Sequence, residues 1–202
     1  MNIDFKNVSK HLAVRTHEAM QPVLMDPTAP GPAVHYYMIR GGSDQRNVTV
    51  WEPGTVGGEY IKTFGHYHIG QLDETYTFVQ GEGVLLLQKL EKDANGALLP
   101  ARVAEFKAVQ VKSGQTYFIS AGYGHLVVNV GSTYFVTTDD SPVDFDEHDP
   151  ASLPGHADYQ MVRQMRGFAF YVVERDGQPV LVKNPRYESV GVVDAGGLEI
   201  VG

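Results

Sequence analysis

From Tyr36 to Val136 the sequence is a succession of short β-branched and aromatic runs, each cut off by Gly, Pro or Asp/Asn. This is the pattern of antiparallel strands in a sandwich or a barrel. The predicted strands are Val34–Ile39, Asn47–Glu52, Glu59–Phe64, Glu74–Gln80, Gly83–Lys89, Val103–Val111, Gln115–Ile119, His125–Asn129 and Thr133–Thr138. Tight links such as Gln80-Gly81-Glu82-Gly83 and the Asn95-Gly96 turn point to one closed barrel. A β-sandwich with binding loops shares the strand count, and periodicity alone does not separate the two.

The flanks differ in texture. Residues 1–33 show little regular pattern beyond a Pro-rich stretch from Asp26-Pro27 to Gly31-Pro32, expected to wrap the core as an extended arm. Residues 34–140 form the barrel core, and 141–202 a C-terminal loop, short helix and hairpin within the same single domain. In that segment Asp144–Pro154 reads as a surface loop, and a helix is predicted near Ala157–Met165 with Met161 and Met165 packing inward. Phe168–Glu174 and Pro179–Lys183 around Asp176-Gly177 make the hairpin.

At 202 residues with 43% hydrophobic side chains, the chain can bury a sizeable core. A net charge of -8 and the lack of a Lys/Arg cluster disfavour nucleic acid or an anionic membrane as partner. The N-terminus has no apolar stretch of the roughly 7–15 residues that a secretory signal needs, so the expected location is the cytoplasm. No cysteine occurs, which removes disulfides, thiolate metal sites and a cysteine nucleophile together. Any metal must therefore be held by His and carboxylate.

The segment Thr63-Phe64-Gly65-His66-Tyr67-His68, followed by Glu74 and Gly81, meets that requirement. On a strand His66 and His68 project from one face and Tyr67 from the other. Glu74 opens the next strand, which can bring its carboxylate beside both imidazoles. His125 follows Gly122-Tyr123-Gly124, where glycines permit a tight turn. Three His and one Glu suit Fe(II), Mn(II), Ni(II) or Zn(II), and four such ligands leave an octahedral ion two open positions. A bare His-x-His pair is common as structural background, and the full constellation is not. The other five histidines, at 11, 17, 35, 148 and 156, are read as ordinary polar residues, and Lys62 is expected to face solvent by alternation.

These segments resemble the two cupin motifs, Gly-His-x-His with a later Glu and Gly, and a Gly-to-His stretch ending in His-x-x-x-Asn. Gly114, Gly122, His125 and Asn129 stand at the second motif's spacing, with Ser120 where Pro is usual. More narrowly, Pro53-Gly54-x-Val56-Gly57-x-Glu59, Thr63-x-Gly65-His66-Tyr67-His68, Glu74-x-Tyr76, Leu86-Leu87-Gln88 and Asn184-Pro185-Arg186-Tyr187 resemble the cupin-type, archaeal-type glucose-6-phosphate isomerase family. The resemblance implies an all-β cupin fold (double-stranded β-helix or jelly roll) and one divalent metal per subunit, Fe(II) favoured. It implies His66, His68, Glu74 and His125 as ligands, Glu74, Tyr76 and His125 as catalytic residues, and Tyr36, Thr49, Thr63, Gly65 and Tyr159 as substrate contacts. With no basic cluster near the motif, hydroxyls and backbone amides are expected to hold the phosphate of the sugar. Five residues separate His68 from Glu74 where the family has six, which leaves Asp73 as a competing register. A cupin dioxygenase or decarboxylase would use the same four ligands, and a non-catalytic sugar-binding cupin is the third reading. A homodimer is also implied, with the apolar strands Val84–Leu87 and Ala169–Val173 as interface or sheet-edge material.

Overall fold

Between Val34 and Asp139 the alternating side chains form the strands that a two-residue period demands. The computed structural model describes residues 12–41, 46–142 and 156–201. The expected loop 144–154, His11 and His148 lie outside the described residues. In chain order the first strands are β1 (Leu12–Thr16), β2 (Val34–Ile39), β3 (Asn47–Trp51), β4 (Thr55–Val56), β5 (Glu59–Tyr60) and β6 (Tyr67–His68). Next come β7 (Glu74–Gln80), β8 (Glu82–Lys92), β9 (Leu98–Lys112), β10 (Thr116–Ile119), β11 (Gly124–Asn129) and β12 (Phe135–Asp139). The last are β13 (Ala157–Asp158), β14 (Phe170–Arg175), β15 (Gln178–Lys183), β16 (Ser189–Asp194) and β17 (Glu199–Val201). Two short α-helices, α1 (His17–Met20) and α2 (Gln160–Gln164), and a 3-10 turn at Gln21–Val23 complete the described elements.

One sheet runs β1-β2-β3-β12-β7-β10 and a second β11-β8-β9-β16. Trp51, Phe78 and Phe135 from the first bury fully against Leu85, Leu87 and Val127 from the second. Phe78 and Phe135 stack at 5.8 Å. The outer face of the second sheet is covered too, because β14 and β15 pair into a hairpin whose Phe170 ring lies 4.6 Å from that of Phe106. Burial on both sides explains the continuous apolar run in β8. It also corrects one expectation: Val84–Leu87 and Ala169–Val173 are interior and offer no surface to a second chain.

The result is an all-β jelly roll, but its ladders fall into separate sheets and no continuous hydrogen-bonded ring closes among the described residues. The predicted strand Glu59–Phe64 is ladder-paired only at β5. Beyond it, Ile61–His66 follows β11 through Asn129 N–H to Ile61 O (2.8 Å), Thr63 N–H to Val127 O (2.9 Å) and a bridge between His66 and His125.

The arm does more than wrap. Its described part contributes β1 as an edge strand, in register Arg15↔Tyr36. Farther on it is fastened by a buried ion pair. Lys62, only 3% exposed, places Nζ 2.5 Å from Glu59 Oε1 and donates to Val23 O at 2.7 Å, while Met25 N–H donates to Glu59 Oε2. Lys62 is therefore not at the surface: the arm and the Tyr171 ring, 4.9 Å from Nζ, cover the face that alternation assigned to solvent. His17 and His35 are not ordinary either. His17 Nδ1 lies 3.1 Å from His35 Nε2, and His35 is wholly buried.

At the C-terminus, Met165 is buried and Met161 packs against the core, as expected. Asn184 donates to Met165 O and Phe168 O, and the Tyr187 hydroxyl donates to Gly167 O. These bonds lock the end of α2 onto the hairpin, which places Tyr159 and Arg163 at the mouth between the sheets. No helix of the described residues is long and apolar enough to cross a membrane.

Candidate metal centre

Gly65 takes φ +79, a conformation that side chains with a Cβ disfavour, and turns the chain so that His66 faces His125 across exchanged backbone hydrogen bonds. Alternation then puts His68 on the same side as His66, with ring centroids 4.8 Å apart. Tyr67 points to the opposite face, into the core, where its hydroxyl accepts from Gln88. β7 supplies Glu74 from the facing sheet. Glu74 Oε2 lies 2.9 Å from His68 Nε2 and 3.1 Å from His125 Nε2. The ligand atoms of His66, His68, Glu74 and His125 all fall within 4.8 Å of one another. Asp73 turns away and accepts from Ala121 N–H at 2.8 Å, so the shortened turn puts Glu74 in the cluster and keeps Asp73 out of it.

The donor set fits a divalent ion. His125 is 1% exposed, and neither of its ring nitrogens has a hydrogen-bond partner. Its approach to Glu74 is close but misaligned for a hydrogen bond, as expected when two lone pairs aim at a common point. Burial, followed by the neighbouring His125 and His68, holds His66 well below the usual imidazole range, leaving it neutral and able to coordinate. Burial alone would push the Glu74 carboxyl up, but His125, His68 and His66 outweigh it and hold it well below the usual carboxylate range.

The remaining expected residues line or flank this space. Tyr76, next inward on β7, has its ring 5.6 Å from His125, and burial with Glu74 and Asp139 nearby raises its phenol, which stays protonated. Thr49 sits between Met38 and Thr137 on the inner face of the first sheet. The Tyr36 hydroxyl accepts from Phe64 N–H, and Thr63 Oγ1 accepts from Val127 N–H. Tyr159 packs edge-on to Phe64 and 5.6 Å from His66.

Other residues at the site were not foreseen. Ser141 Oγ donates to Glu74 Oε1 at 2.5 Å. Asp139, buried beside Glu74, is pushed up to about 6 by burial and that charge, and accepts from Asn47. Continuing the Phe135, Thr137 alternation by one step would have found Asp139. The Arg40 charge acts on His66, Tyr76 and Asp139. Arg15 and Arg163 join the mouth from opposite ends of the chain, which no local sequence signal reveals.

An all-β cupin with three imidazoles and one carboxylate converging between its sheets is the class that this fold and site define. The family model for glucose-6-phosphate isomerase (GPI) matches residues 36–188, and the chain belongs to that family. It is 32% identical over 142 residues to the glucose-6-phosphate isomerase of Pyrococcus furiosus, covering 69% of this chain and 62% of that one. Against the Pyrococcus abyssi protein of the same name the identity is 30%, over 70% and 63%. The chain thus spans a little over three-fifths of the length of these relatives. Among solved structures, a predicted oxalate decarboxylase from Thermotoga maritima aligns with a TM-score of 0.41 at 18% identity, over 69% of this chain and 96% of that one, a likeness too loose to bear on function.

Proposed function

We propose that the protein is a metal-dependent aldose–ketose isomerase interconverting glucose 6-phosphate and fructose 6-phosphate. Fe(II) is the favoured ion, with Mn(II), Ni(II) or Zn(II) as substitutes. The reading is carried by the convergence of His66, His68, Glu74 and His125 in a chain of the glucose-6-phosphate isomerase family. It also places the enzyme in the cytoplasm as a homodimer without nucleic-acid or membrane partners.

Isomerisation moves hydrogen between C2 and C1 of the open-chain sugar, which requires a base beside C2 and stabilisation of charge developing on the adjacent oxygens. A divalent ion held by His66, His68, Glu74 and His125 supplies that stabilisation as a Lewis acid. Glu74 has a second oxygen, Oε1, held by Ser141, and with it moves the proton between the two carbons through a cis-enediol. Its carboxyl is ionised when the sugar arrives, as a base must be. Tyr76 remains a hydroxyl donor beside His125. Tyr36, Thr49, Thr63 and the backbone of Gly65 contribute hydrogen bonds to the substrate, and Tyr159 closes the mouth over it.

A coupled assay with fructose 6-phosphate, run before and after chelation and with metals restored, tests this reading. Activity should vanish on chelation and return with Fe(II). Absence of turnover with every metal, or oxygen consumption in its place, overturns it. With deuterium at C2, washout to solvent is expected, and full retention in product would replace proton transfer by a hydride shift.

A further inference from the structure

The acidic chain must bind a dianionic sugar, and hydroxyls alone bring no positive charge to it. Beside the metal centre lies a second cavity of about 310 Å³, lined by Arg15, Arg163, Tyr159, Phe64 and, at its rim, Glu18. Arg15 comes from β1, and its register opposite Tyr36 puts it on the inner face of the sheet that carries Glu74 and Tyr76. Its guanidinium lies over the Tyr159 ring at 5.8 Å, and its Nε is buried without a hydrogen-bond partner. Arg163 comes from α2 and lies over the Phe64 ring at 5.6 Å. Among the described residues neither guanidinium is within ion-pair distance of a carboxylate, Glu18 included.

Among the described residues these two cations have no carboxylate partner, in a chain whose net charge is -8. Arginine presents a planar fork of donors matched to phosphoryl oxygens. Stacking on Tyr159 and Phe64 holds each fork in place, and Arg15 is also oriented by the neutral hydroxyls of Tyr36 and Tyr159, which leave its charge uncompensated. Tyr159 is shared: the same ring packs against Phe64 and stands 5.6 Å from His66, so the cavity adjoins the metal centre.

We propose that Arg15 and Arg163 form the phosphate-binding subsite, gripping the phosphoryl group of the sugar at one wall while its C1–C2 end lies at the metal centre. This rests on the phosphosugar reading above. The hydroxyls of Tyr36 and Thr63 accept from backbone amides and keep their protons to donate, so they supplement the grip without supplying its charge. The subsite is assembled from the first described strand and the C-terminal helix, which close on the substrate from opposite sides.

The test uses the metal-loaded, full-length protein and two measurements. One is the calorimetric dissociation constant of inorganic phosphate, and the other is the KM and kcat for fructose 6-phosphate. Arg163 is exposed, so Arg163→Gln leaves the fold intact; Arg15→Gln is the second variant and Arg163→Lys the conservative control. Losing one charge-assisted bidentate contact should weaken phosphate binding about ten- to a hundred-fold and raise KM in parallel, with kcat little changed. Arg163→Lys should recover part of the loss, and added salt should weaken wild type more than either Gln variant. If phosphate binds wild type and both Gln variants equally, the subsite is wrong even if the enzyme isomerises fructose 6-phosphate. If no isomerisation occurs, the phosphate titration still decides the subsite, and the functional reading fails separately.

Discussion

The carboxylate of Glu74 does two jobs with two oxygens: Oε2 faces the imidazoles and Oε1 takes the hydroxyl of Ser141. Glu74→Gln keeps the volume and removes the charge, so it should cut kcat at least about a hundred-fold, the usual scale of a lost general base. The thermal midpoint should move far less. Asp73→Asn should leave kcat within about two-fold, since an amide oxygen can still accept from Ala121 N–H at that position. Parallel kinetics and melts of the two variants check both, and equal losses would move the role to Asp73. The cluster was legible in the sequence because its four members lie on strands, where a two-residue period says which side chains share a face. Lys62 shows the limit of that rule. Alternation tells one face from the other but not what covers it, and here a distant segment does.

At the scale of strands and turns, His125 owes its position to how closely β11 approaches the strand that carries Tyr67. A Cβ added to Gly124 would stand 2.5 Å from the Tyr67 ring, which cannot swing aside because its hydroxyl accepts from Gln88 and its ring packs on Phe168. Gly124→Ala should therefore separate His125 from His66 and His68, costing about 1–3 kcal/mol of stability as an overpacked core does. Denaturant midpoints and the metal content of the purified variant measure both effects, and an unchanged pair of values would show the approach to be loose. β2 and β7 match their predicted bounds residue for residue, because both carry alternating side chains with one face in the core. β1, β16 and β17 went unseen for the opposite reason. Their side chains are mostly in water, and what makes them strands is pairing with distant partners, β16 and β17 running parallel to β9 and β15.

Over the whole molecule, the joint between arm and core titrates. Burial, with His17 and Lys62 adding repulsion, lowers His35 to about 4 from an ordinary 6.5. The unfolded chain therefore binds this proton more tightly than the folded one, so the contribution to stability is complete above pH 6.5 and declines as pH falls toward 4. At its limit this is about 3 kcal/mol. Asp139, raised to about 6, has the opposite sign in an overlapping window, so the informative quantity is a difference. Between pH 7 and 4, His35→Gln should lose less stability than wild type at equal metal loading; parallel curves would show that His35 does not carry the effect. The arm also differs from the core in how it comes apart. β1 has one neighbour and most of its side chains in solvent, whereas the metal cluster hangs on strands paired or packed on both sides. In hydrogen-exchange terms, β1 belongs to the first cooperative unit to open. Arg15 leaves with it, so on warming the proposed phosphate grip opens while the four side chains of the metal centre still converge.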